Sequence, residues 1–113
     1  MALRRSLRVS LASLAALLVV AAPVDAAGPK LTIAAAKERA AKYARNTCKR
    51  DSRCIGSGVR GCQRHRRRVV VCRIFDRRRT DAQGRYTCTR LVRLALDPRT
   101  RRIPVTGVSD WSC

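Results

Sequence analysis

Six cysteines, Cys48, Cys54, Cys62, Cys72, Cys88 and Cys113, all fall in the C-terminal two-thirds of a 113-residue chain. The intervening stretches are 5, 7, 9, 15 and 24 residues long, and a single histidine accompanies them. Zinc sites bring ligands in close pairs, which this spacing lacks, so no metal centre and no cofactor is expected. An even cysteine count in a small chain reads instead as a disulfide framework. Fifteen pairings are open to six cysteines. The hairpin reading below favours Cys72 with Cys88, and a bridge at Cys113 would anchor the C-terminus.

Such a framework needs an oxidising compartment, and the N-terminus supplies an address for one. Arg4, Arg5 and Arg8 precede an apolar run from Val9 to Ala22, and Val24-Asp25-Ala26 ends in the small-residue pattern of a signal-peptidase site. The uninterrupted apolar core from Leu14 to Ala22 is too short for a membrane span, which takes about 20 residues. Residues 1–26 are therefore read as a signal peptide and 27–113 as one small secreted, disulfide-rich domain, extracellular or periplasmic, with no transmembrane span. That length excludes Rossmann, barrel and kinase architectures. Its burial is marginal for a chain without covalent staples.

Between Ile33 and about Thr47 the chain is rich in alanine and free of glycine and proline, with Thr32 as N-cap. Ile33, Ala36, Ala40, Tyr43, Ala44 and Thr47 share a face at helical spacing, opposite Lys37, Glu38, Lys42, Arg45 and Lys49. The glycines at 56, 58 and 61 suggest a loop over Asp51–Gly61, with a short strand within Val59–Gln63 and a basic turn over Gln63–Arg67. Arg68–Phe75 and Tyr86–Leu96 read as strands, with a polar loop over Arg77–Gly84 between them. Ile103–Trp111 reads as an edge strand marked by Pro104. The expected fold is α+β: one N-terminal helix on a small antiparallel meander of three to four strands.

Alternation splits the central strands. On the first, Val70, Cys72 and Ile74 face one way and Val69, Val71 and Phe75 the other; on the second, Cys88, Val92, Leu94 and Leu96 face one way and Leu91 and Ala95 the other. One helix covers one face of a sheet, so the second face is left for a partner or for arginine stems.

Charge is the second constraint. The chain carries 26 Lys+Arg against 7 Asp+Glu, a net +19; without Arg4, Arg5, Arg8 and Asp25 the remaining 87 residues still carry +17. A GC-rich coding sequence explains arginine over lysine but not the scarcity of acids. In a meander, alternate turns lie at one end of the sheet. Arg64, Arg66, Arg67 and Arg68 should therefore meet Arg99, Arg101 and Arg102 there, while Arg77, Arg78 and Arg79 lie at the other end with Arg85. Guanidinium forks match phosphate, sulfate and carboxylate oxygens. The leading expectation is a non-catalytic secreted module that engages an anionic polymer or surface (nucleic acid, cell-wall polymer or glycan) through the seven-arginine joint cluster. One alternative is a secreted inhibitor or interaction domain using the second sheet face. The other is a small ribonuclease or toxin built on His65, with Glu38 the only glutamate to pair with it. No nucleophile elbow and no phosphate-cradling glycine loop is present. Aromatic residues are few, and Trp111 is the one ring expected to be free for stacking.

Overall fold

The computed structural model describes residues 28–82 and 84–113. The proposed signal peptide lies outside them. The expected α+β architecture is present: α1 (Ile33–Lys49), β1 (Cys54–Arg66), β2 (Val69–Thr80), β3 (Gly84–Ala95) and β4 (Val105–Val108). The sheet is antiparallel, in the order β1-β2-β3-β4.

The Thr32 hydroxyl caps α1 by accepting from the Ala35 amide at 3.0 Å. Ala36, Ala40 and Ala44 are fully buried, and a helix face of methyl groups lets α1 lie close on β1 and β2. Ile33, expected on that face, is 39% exposed; Leu31, one residue before the cap, takes the buried place. Leu31 is fixed there by its amide, which donates to the Arg67 carbonyl. Under the helix lie Val70, Cys72 and Ile74 of β2 and Val92 and Leu94 of β3, as their parity requires.

Three spans expected to be loop, short strand or turn are continuous strand. β1 runs for 13 residues through Gly56, Gly58 and Gly61, takes in most of the basic turn expected over Gln63–Arg67, and absorbs irregularities at register shifts 54/56, 59/61 and 64/66. Arg77–Arg79 belong to β2, because β2 and β3 pair without interruption from Val69↔Ala95 to Thr80↔Gly84. The reversal between Thr80 and Gly84 is closed by Gly84 at φ 73. The last strand is shorter than expected, Val105–Val108, with Pro104 just outside it. An isolated bridge, Thr89↔Ser112, holds the segment after β4 against β3.

Gly58 has a specific reason to be glycine. It stands opposite Phe75, and a Cβ there would come within 2.7 Å of Phe75 Cε1 and 2.8 Å of Cζ. The Cε1–Cζ edge of the ring lies against the bare backbone. Gly58→Val is expected to destabilise by about 1–3 kcal/mol through this overlap. A urea denaturation series should show a lower midpoint at an unchanged slope; an unchanged midpoint contradicts the account.

The bridges are Cys48–Cys54, Cys62–Cys72 and Cys88–Cys113. The expected Cys72–Cys88 pairing is wrong. Cys72 faces Val92 on β3, while Cys88 faces Asp76, four rungs or roughly 14 Å along the strand. A disulfide spans at most about 7 Å between Cα atoms. Cys72 instead meets Cys62, its direct partner on β1. Among the described residues no helix is long and apolar enough to cross a membrane.

Candidate functional site

The helix covers one side of the sheet and, among the described residues, leaves the other open. Period-two alternation sets Val71, Arg73, Phe75, Arg77 and Arg79 of β2 on the open face, beside Arg85, Thr87, Thr89, Leu91 and Arg93 of β3. The register fixes their neighbours: Val71↔Arg93, Arg73↔Leu91, Arg77↔Thr87 and Arg79↔Arg85. Arg60 joins them from the β1 irregularity at Val59/Gly61, since its guanidinium lies 5.0 Å from the Phe75 ring centroid. The Arg77 guanidinium lies 5.6 Å from the same ring. Phe75 is thus seated on Gly58 and flanked by two cations.

Arg60, Arg73, Arg77, Arg79, Arg85 and Arg93 are all exposed. None of the six guanidinium groups makes a hydrogen bond or ion pair among the described residues, where the ion pairs are Arg78 with Asp51 and with Asp76, on the helix side. Arg79 and Arg85 stand directly across from each other, a like-charge pair that disfavours the sheet unless an anion sits between them. Two hollows mark this face. One, of about 400 Å3, is lined by Ile55, Arg77, Arg79, Arg85, Tyr86 and Thr87. The other, of about 440 Å3, has Val71 and Leu91 with Arg60, Arg73 and Gln63 around it. From the Arg79/Arg85 rung to the Val71/Arg93 rung the track is ~27 Å long, at about 3.4 Å per residue.

The seven arginines singled out in the sequence occupy the end of the sheet at the β1–β2 and β3–β4 connections. The Arg68 carbonyl accepts from the Leu96 amide at 2.8 Å, which ties the two connections together. Their side chains are unequal. The Arg64 guanidinium donates to the carbonyls of Leu31, Arg66 and Arg67, and Arg67 donates twice to the Gly28 carbonyl at 2.9 and 3.2 Å. These two arginines are occupied in fastening the segment that leads into α1, and Arg68 also has a partner. Arg66, Arg99, Arg101 and Arg102 are exposed. Arg101 holds a left-handed backbone at φ 65 in a loop organised by Asp97. The Arg99 amide donates to the Asp97 carboxylate at 2.9 Å and holds that carboxyl below its ordinary value.

Two further candidates are placed elsewhere. His65 is exposed near the end of edge strand β1 and Glu38 is exposed on α1; neither side chain makes a hydrogen bond or ion pair among the described residues. Trp111, expected to be free, is occupied by the guanidiniums of Arg90 at 4.2 Å and Arg78 at 4.9 Å from its centroid. The Cys88–Cys113 bridge and the Thr89↔Ser112 pairing hold it there.

The open-face arginines were hidden from sequence reasoning by the loop assigned to residues 77–84. A partial signal was present: of the seven arginines from 73 to 93, five (73, 77, 79, 85 and 93) are at odd positions and two (78 and 90) at even ones, a bias towards one strand parity. No protein-family model, curated protein or solved structure matches the chain.

Proposed function

We propose that the chain is a secreted, non-catalytic module that binds an anionic polymer across the open face of its sheet. One observation carries this reading: six exposed arginines share a face on which none of their guanidinium groups has a hydrogen-bond or ion-pair partner among the described residues. Guanidinium groups left unpaired at short spacing repel one another, and a polymer of phosphate, sulfate or carboxylate groups removes that repulsion while releasing its own counterions. Arg66, Arg99, Arg101 and Arg102 extend the basic surface at one end of the track. The three disulfides fit an oxidising compartment, in agreement with export.

The test compares two charge-matched variants. One replaces Arg73, Arg77, Arg79 and Arg85 with glutamine; the other replaces Arg66, Arg99, Arg101 and Arg102. Binding to inorganic polyphosphate and to a sulfated glycan is measured against salt. Six neutralised charges give a slope of log K against log salt of about −4 on a single-chain polyanion. The open-face variant should lose most of that slope and the end variant only a minor part. Equal losses would move the site to the end cluster, and wild-type protein that binds neither polymer at low salt would end the reading.

A further inference from the structure

Beyond charge, the open face has an apolar component, and its position narrows the class of polymer. Leu91 is 40% exposed towards one end of the face, directly across from Arg73 and between the Phe75/Thr89 and Val71/Arg93 pairs. Together Val71 and Leu91 form the apolar lining of a groove bordered by the guanidiniums of Arg60 and Arg73 and the amide of Gln63. About five rungs away, or ~17 Å at the rise of a strand, lies the second hollow, where Arg77, Arg79 and Arg85 converge. A small anion fills one of these places; only a chain reaches both.

We infer that this chain is an acidic polysaccharide, a run of sugar rings bearing carboxylate or sulfate groups. The inference rests on the polyanion reading above and adds the chemistry between the charges. A sugar ring has an apolar C–H face and a polar periphery. The groove offers the complement of both: two aliphatic side chains beneath, guanidinium and amide donors at the sides. Single-stranded nucleic acid makes a different demand, because its affinity for sheet surfaces comes from bases stacked on free aromatic rings. Phe75, the ring in the middle of the track, lies against Gly58 and is flanked by Arg60 and Arg77. The indole of Trp111 is occupied by Arg78 and Arg90. A bare phosphate polymer, for its part, gains nothing from Val71 and Leu91.

The experiment titrates the full-length exported protein with four oligomers of equal charge at fixed salt: a sulfated glycan, a polyuronate, single-stranded DNA and inorganic polyphosphate. One or both sugar polymers should bind at least tenfold tighter than polyphosphate, and the sulfated and uronate arms separate the two kinds of charged group. In Leu91→Asn the sugar-to-polyphosphate ratio should shrink to under threefold, with an unchanged near-ultraviolet circular dichroism spectrum serving as the check that the variant is folded. If DNA or polyphosphate binds as tightly as either sugar polymer, or if Leu91→Asn leaves the ratio intact, the polysaccharide inference fails while the polyanion reading stands. If no oligomer binds, the polyanion reading itself fails.

Discussion

Reduction of the three disulfides with excess thiol should abolish the folded state rather than loosen it. The closed loops span sequence separations of 6, 10 and 25 residues. On the chain-entropy account they contribute about 2.4, 2.8 and 3.5 kcal/mol by constraining the unfolded chain. Together that is about 9 kcal/mol, against a total stability of ~4–13 kcal/mol for a domain of this size. Little else is available to compensate. The fully buried aliphatic core is Leu31, Val70, Ile74, Val92 and Leu94 with three helix alanines, and the net charge opposes compaction. Near-ultraviolet circular dichroism and Trp111 fluorescence should both show the loss. Among single bridges, Cys88–Cys113 closes the longest loop and holds Trp111 in place. Replacing both of its cysteines with serine should lower the melting temperature by roughly 15–25 °C, at about 4–8 °C per kcal/mol for a domain this small. A cooperative transition at an unchanged temperature after full reduction would show that the apolar core suffices.

Removing the Arg78 guanidinium should be the most damaging single change outside the cysteines. Asp76 is 2% exposed, on the helix side of β2, and its Oδ2 accepts from Arg78 at 3.3 Å. The same guanidinium lies 3.8 Å from Asp51 and stacks on Trp111. Asp76 Oδ1 and Arg78 Nε are buried without a hydrogen-bond partner among the described residues, so the pair already stands on few contacts. Breaking a buried pair by deleting one partner costs about 3–5 kcal/mol; the lower end applies because the Arg78 side chain is 19% exposed. Arg78→Leu is therefore expected to cost about 3 kcal/mol, and Arg78→Leu with Asp76→Asn to recover most of it. The pH dependence carries a definite sign. Burial raises the Asp76 carboxyl above its ordinary 3.8, against the opposing pull of Arg78. The native state thus holds this proton more tightly than the unfolded chain. Its contribution is fully present below the ordinary value and is lost as pH rises through the raised one. Without Arg78 the raise grows, so Arg78→Leu should regain stability on mild acidification relative to the double variant. A penalty in Arg78→Leu that is independent of pH would show that it comes from lost packing on Trp111.

The sequence by itself determined the elements that rest on local chemistry. Thr32 and the alanine stripe 36, 40, 44 set the helix and its buried side, because capping and helical period act within a few residues. The parity of Val70, Cys72 and Ile74 against Val71 and Phe75 set the two faces of β2, and the cysteine count set the presence of staples. What it misassigned depends on partners distant in the chain. Gly56, Gly58 and Gly61 signal a loop by composition, yet β1 is a strand because Phe75 needs bare backbone opposite it. Arg77–Arg79 signal a loop by polarity, yet they are strand because β3 supplies an unbroken row of hydrogen bonds. The pairing Cys62–Cys72 follows from the β1–β2 register, which no spacing rule contains. The candidate site moved for the same reason. Adjacency in sequence grouped Arg64–Arg68 and Arg99–Arg102 into one cluster, but the segment before α1 claims the guanidiniums of Arg64 and Arg67. Alternation over two long strands gathers Arg73, Arg77, Arg79, Arg85 and Arg93, with Arg60, onto a single open face. Local sequence decided which residues are cationic; the register of β2 against β3 decided which of those cations stand together without counter-charges.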